Sequence, residues 1–157
     1  MVIHEKRMKE LIDYTSTNKV IPYGCSIYDE TGKLLVKMLG NKHSPINHAE
    51  ILAIKQCTEL YPNLQWDTLT LYSTGEPCCM CAAACCWVNL KEVVYATGIP
   101  LMVELWGIEG PLRASDIMNN YPKRPKLTAG VCEEISNMMF KECKDSFFEL
   151  VAEKSWK

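Results

Sequence analysis

The chain lacks any run of about 18 apolar residues, which excludes a membrane-spanning helix of the usual kind. Its first residues, Met1-Val2-Ile3-His4-Glu5-Lys6-Arg7, contain no apolar stretch and no small-residue cleavage site, so no secretion signal is expected. A basic surplus is missing too: 17 Lys and Arg against 19 Asp and Glu leave a net charge of −2. That balance gives no general electrostatic reason to bind nucleic acid. The one basic cluster is Lys123, Arg124 and Lys126, within a Pro-containing stretch, and solvated loop charge is its plainer explanation. Internal repeats, linkers and low-complexity segments are absent. With 48% hydrophobic and 23% charged residues, the chain reads as one soluble globular domain spanning residues 1–157.

Cysteine is not scarce. There are nine, an odd number, and five lie between Cys78 and Cys86. So local a cluster does not suit a disulfide framework, and reduced thiols in a cytoplasmic protein are expected. Histidine is limited to three positions. His43 lies in a polar loop and His4 on the first amphipathic segment, which leaves His48 as the informative one.

Ile3, Met8, Leu11 and Ile12 recur near helical spacing, so residues 3–18 read as an amphipathic helix. Cys25 to Tyr28 and Leu34 to Met38 read as two strands joined by the turn residues Asp29-Glu30-Thr31-Gly32. His48 to Leu60 is expected to be a helix, Thr68 to Ser73 a third strand, and Cys78 to Val88 a helix that begins after Pro77. Val93 to Ala96 reads as a fourth strand and Leu127 to Val131 as a fifth. Residues 99–125 should hold short helical pieces and loops, and residues 133–156 one or two helices. The order β-β-α-β-α-β, followed by a further strand and helix, predicts an α/β fold whose mixed sheet is covered on both faces.

Two motifs carry the chemistry. His48-Ala49-Glu50 is separated by twenty-six residues from Pro77-Cys78-Cys79-Met80-Cys81. One imidazole and two thiols make three ligands for Zn²⁺, the number a catalytic zinc site uses when it keeps a position open for water. Glu50 is then a catalytic carboxylate beside the metal. Cys78 and Cys81, three apart on one helix, share a face near the helix N-terminus, which favours thiolates. Each part has a plainer explanation: Asn47 to Glu50 resembles a helix cap, and a lone C-x-x-C also suits a structural zinc half-site or a redox pair. Together, H-x-E and P-C-x-x-C form the signature of zinc deaminases that act on nucleobases. Cys79, Cys85 and Cys86 read as small buried residues.

These motifs resemble the cytidine-deaminase-like superfamily from about Pro22 to Val131. The resemblance implies a three-layer α/β/α fold with a five-stranded mixed sheet. The histidine in the first motif is similar to the branch that holds guanine, tRNA adenosine and cytosine deaminases. Glu76-Pro77-Cys78 looks like its purine-deaminating members, and Pro22-Tyr23-Gly24 is similar to guanine deaminases and related nucleoside deaminases. By the same resemblance, Asn41 and the Ala49 amide are candidate substrate contacts. Trp156 matches a terminal aromatic that closes over the site, with a frayed end or core aromatic as the alternative. Glu109, or else Glu104, falls where guanine deaminases carry a second acid, with surface charge as the alternative for both. The segment between Asn41 and His48 is shorter than typical members have, and Ser44-Pro45-Ile46-Asn47 replaces their usual Asp-Pro-Thr.

The leading expectation is a zinc-dependent aminohydrolase acting on a small-molecule purine base or nucleoside, guanine first. The alternatives are a tRNA adenosine deaminase and a non-catalytic zinc-binding domain of the same fold. The resemblance also implies a homodimer, for which Leu101, Met102, Leu105 and Trp106 offer apolar surface unless they belong to the chain's own core.

Overall fold

A computed structural model describes residues 2–41, 43–107 and 110–153. Glu109 and Trp156 lie outside the described residues. The chain order is α1 (Val2–Ser16), β1 (Gly24–Tyr28), β2 (Leu34–Leu39), α2 (Ala49–Leu60), a 3₁₀ turn (Trp66–Thr68), β3 (Thr70–Gly75) and α3 (Cys79–Trp87). It continues through β4 (Glu92–Thr97), α4 (Ile99–Trp106), α5 (Ala114–Met118), β5 (Lys126–Thr128), α6 (Glu133–Glu142) and α7 (Lys144–Glu153). No described helix is long and apolar enough to cross a membrane.

The five strands form one mixed sheet in the order β2-β1-β3-β4-β5. β1 runs antiparallel to both β2 and β3, whereas β3, β4 and β5 are parallel. β4 is buried along its whole length and β3 nearly so, as expected of strands covered on both faces. Alternation along the strands sorts their side chains. Leu71 and Val93 pack with Cys25 and Ile27 against Ala53 and Cys57 of α2 and Ala82 and Cys85 of α3. Tyr72 and Val94 face the opposite layer, with Met8 and Leu11 of α1, Met102 of α4 and Phe140 of α6. The expected three-layer α/β/α architecture is therefore present.

Several boundaries differ from the sequence reading for physical reasons. β3 begins at Thr70, because Trp66–Thr68 closes a 3₁₀ turn in which the Leu69 amide bonds Trp66 O at 3.0 Å. β5 covers Lys126–Thr128 instead of reaching Val131: Gly130 turns to φ +72°, so the chain leaves regular strand geometry, although the Val131 amide still bonds Tyr95 O of β4 at 3.1 Å. His48 and Cys78 are not inside helices. Both are extended residues immediately before one. Met102 and Trp106 are 0% and 7% exposed and belong to the chain's own core, so they offer no interface surface.

Gly75, at the carboxyl end of β3, sits at a close approach of three side chains. A Cβ there would lie 2.7 Å from Met102 Cε, 3.1 Å from Tyr23 Cε1 and 3.2 Å from Phe140 Cζ. Tyr23 belongs to an aromatic group with Trp106, Phe140 and Phe147, its ring edge-on to Phe140 at 5.1 Å. Through Phe147 this group fastens α7 to the segment that enters β1.

Candidate active site

Two helix N-termini meet at the carboxyl end of β3. His48 caps α2 with φ −66° and ψ 150°, and Cys78 caps α3 with φ −65° and ψ 175°. Pro77 holds the chain extended ahead of Cys78, and Cys81 follows in the first turn of α3. His48 Nδ1 lies 3.5 Å from Cys78 Sγ and 3.6 Å from Cys81 Sγ. The three ligand atoms all lie within 4.8 Å of one another.

This spacing can be tested against zinc. Zn–S bonds of about 2.3 Å and Zn–N bonds of about 2.0–2.1 Å, set at the tetrahedral angle, place sulfur and nitrogen about 3.6 Å apart. The observed separations meet that requirement, and one imidazole with two thiols is a donor set suited to zinc. The macrodipoles of α2 and α3 both point their positive ends at the cluster and favour anionic sulfur. Cys81 is buried, while His48 and Cys78 remain partly exposed, so the cluster is open to solvent on their side.

The thiols do not titrate alike. Cys78 is lowered to about 4, first by a hydrogen bond from Cys81 and then by His48, against the opposing effect of burial. The same shared hydrogen bond, with burial, pushes Cys81 well above the usual thiol range. The two shifts are opposite in direction because one hydrogen bond joins the two sulfurs.

Glu50, in the first turn of α2, is 3% exposed. Its Oε1 accepts a hydrogen bond from Ser73 Oγ at 2.9 Å, and its Oε2 lies 3.6 Å from Cys81 Sγ. Burial raises its carboxyl above the ordinary range, partly opposed by His48. A buried carboxylate raised by desolvation beside a cluster at zinc-ligand spacing is suited to accept and return protons. Cys25 and Cys85, both fully buried, sense the Glu50 charge and are pushed well up by desolvation. Burial likewise raises Cys57 to about 11. These thiols are packing residues.

The other sequence candidates divide. Ala49 is 1% exposed between His48 and Glu50. Asn41 closes the short loop that precedes them: its Oδ1 accepts from Asn47 Nδ2 at 2.9 Å and from the His43 amide at 3.0 Å. Glu104 is exposed on α4, as surface charge would be. Lys126 pairs in register with Glu92 at the amino end of β4, and its Nζ reaches Glu92 Oε1 at 3.2 Å. Thr97, beside the site, is five residues along β4, roughly 16 Å away at strand rise. The basic cluster therefore begins at the end of the sheet away from His48 and the thiols.

Two residues at or near the site carried no marked signal in the sequence. Ser73 breaks an apolar strand on the face toward α2, a polar position that alternation from Leu71 does indicate. Arg113 has no such signal, because its partner Glu76 lies 37 residues away. Glu76 is 3% exposed and accepts from Arg113 Nε, from the Ile99 amide at 2.9 Å and from the Ala114 amide at 2.9 Å. It ties the turn before Cys78 to the first residues of α4 and α5.

Comparison with known proteins agrees with this geometry. Residues 1–97 match the family model for the cytidine and deoxycytidylate deaminase zinc-binding region. The chain is 30% identical over 126 residues to a tRNA-specific adenosine deaminase of Rickettsia felis, covering 78% of this chain and 85% of that protein. It is 34% identical over 101 residues to the tRNA-specific adenosine deaminase subunit tad2 of Schizosaccharomyces pombe; the match covers 60% of this chain but spans only 26% of that subunit. A guanine deaminase of Bacillus subtilis is 33% identical over 78 residues, 48% of this chain and 49% of that protein. In fold, the chain is similar to the solved guanine deaminase of Nitrosomonas europaea, with a TM-score of 0.73 and 19% identity over 90% of this chain and 83% of that one. With its His48, Cys78 and Cys81 cluster matching zinc geometry, the chain belongs to the cytidine and deoxycytidylate deaminase zinc-binding family.

Proposed function

We propose that the protein is a hydrolytic deaminase of a free purine base or nucleoside, with guanine, converted to xanthine and ammonia, as the first substrate to try. The observation that carries this reading is the buried Glu50 carboxylate next to three residues at zinc-ligand spacing. His48, Cys78 and Cys81 hold the metal. When bound, zinc lowers the pKa of a water and makes it nucleophilic near neutral pH. Glu50 takes a proton from the attacking water and delivers protons to the ring nitrogen and the departing amine. The C–N bond breaks, ammonia leaves, and a carbonyl remains. A purely structural zinc domain has no use for a buried carboxylate in this place, which speaks against a non-catalytic role.

Asn41 and the Ala49 amide are proposed to contact the base, with Glu109 as a second acid and Trp156 as a closing aromatic. Asn41 supports this in one respect. Its carbonyl oxygen is engaged by Asn47 and His43, which orients its amide group as a donor. The reduced thiols suit a cytoplasmic protein.

The second reading is a tRNA adenosine deaminase, favoured by the 30% identity to the Rickettsia felis enzyme across most of both chains. In that case phosphate contacts come from elsewhere than Lys126, which Glu92 already neutralises. Measuring ammonia release from a panel of free bases and nucleosides, and inosine formation in tRNA, separates the two. Guanine or a relative turning over supports the first reading, inosine in tRNA supports the second, and silence in both assays sinks deamination altogether.

A homodimer is proposed through the outer face of α3. That helix, CMCAAACCW, has no charged residue, and Met80, Ala83 and Trp87 form a partly exposed stripe with Trp87 79% exposed. Apolar surface of this kind on a helix marks a contact site.

A further inference from the structure

We propose that Ser73 is a positioning residue that makes the two oxygens of Glu50 unequal, anchoring Oε1 so that Oε2 alone faces the His48, Cys78 and Cys81 cluster. The inference deepens the deaminase reading and rests on it.

The carboxylate can only accept, so the hydroxyl donates. Ser73 Oγ and Glu50 Oε1 are 2.9 Å apart, and the two residues are 1% and 3% exposed. Ser73 cannot drift, because it is paired in register with Cys25 on one side and Tyr95 on the other. Glu50 approaches from α2, across the layer boundary. Fixing one oxygen of a planar carboxylate fixes the direction of the other, and Oε2 lies 3.6 Å from Cys81 Sγ.

Among the hydrogen bonds described, Ser73 is the hydroxyl donor to Glu50. It holds Oε2 toward the reacting atoms while leaving it free to carry a proton.

The experiment uses zinc-loaded full-length protein with Ser73→Ala and Ser73→Thr. Loss of an orienting hydrogen bond beside a metal site typically costs about 10- to 100-fold. Ser73→Ala should lower kcat by about tenfold or more, with KM and zinc content unchanged, and Ser73→Thr should recover most of the loss. A second measurement needs no substrate. The drop in Tm caused by Ser73→Ala should shrink when Glu50→Ala is already present, because both changes remove one contact. The proposal is overturned if kcat in Ser73→Ala stays within about twofold of wild type, if its loss follows lost zinc, or if the two Tm effects simply add. Wild-type protein inactive on every substrate overturns the deaminase reading instead, and the Tm cycle still decides the Ser73–Glu50 contact.

Discussion

Arg113 Nε donates to both carboxylate oxygens of Glu76, at 3.0 and 2.9 Å, and so joins α5 to the residue two positions before Cys78 of the His48, Cys78 and Cys81 cluster. The pair is uneven: the Glu76 side chain is 1% exposed and that of Arg113 42%. The Ile99 and Ala114 amides complete the shell around the acid.

That unevenness predicts different costs for the two partners. Glu76→Ala leaves two helix-terminal amides without their acceptor and should destabilise the fold by about 1–3 kcal/mol for each of them. Arg113→Ala leaves the carboxylate bound to both amides, and its cost should be nearer about 1 kcal/mol. Urea denaturation measures both, and equal costs would contradict the arrangement.

His48→Ala, Cys78→Ser and Cys81→Ser each remove a proposed ligand and should reduce bound zinc to a small fraction of one per chain. Glu50→Ala should keep the metal and the fold and lower turnover by about 10²- to 10⁴-fold. Metal analysis alongside kinetics distinguishes the two outcomes. Turnover that survives Glu50→Ala would refute the proton-transfer role.

Zinc uptake at pH 7 should release about one proton from the two thiols. Cys78, held near 4, is already a thiolate, whereas Cys81 retains its proton far above neutrality. Calorimetry in buffers of differing ionisation enthalpy counts the released protons. Affinity should weaken further as pH falls toward 4 and Cys78 begins to compete for a proton.

Glu92 predicts an acid-sensitive contribution at the other end of the sheet. Burial pushes its carboxyl up, but hydrogen bonds from Thr128 and Lys126, with the His4 charge, outweigh this and hold it below the ordinary value. A depressed carboxyl stabilises the fold above its unfolded pKa and ceases to do so as pH falls through its folded pKa. Glu92→Gln should therefore lower Tm at pH 7 and make little difference near pH 3. A loss that is the same at both pH values would count against the ion cluster.

Trp87→Arg tests the proposed interface. If α3 meets a second copy, this change should convert dimers to monomers in light scattering while leaving the zinc content intact. An unchanged mass would show that the Trp87 face does not hold copies together.

Much of this protein was legible from local pattern. The two motifs were recognisable because zinc coordination demands specific residue types at short spacing, and His48, Cys78 and Cys81 do converge. The strands were legible because β3 and β4 are apolar runs bounded by turn residues. The ends were less so. Residue pattern places His48 and Cys78 within helices, yet they stand one residue ahead of them, since capping depends on backbone angles that residue type only biases.

The sequence by itself determined the two motifs with their imidazole, thiols and carboxylate, the order of elements that predicts a mixed sheet covered on both faces, and the helical character of α1 and α2, because periodicity and ligand chemistry are local properties. Tertiary structure decided what meets across long separations. It brought Ser73 to Glu50 across 23 residues and Arg113 to Glu76 across 37, and it buried Met102 and Trp106 in the core. It also set Lys126 against Glu92 at the end of the sheet remote from His48, Cys78 and Cys81. Those pairings depend on strand order and helix placement, and hydrogen bonds with a range of about 3 Å cannot be read from residues tens of positions apart until the fold has joined them.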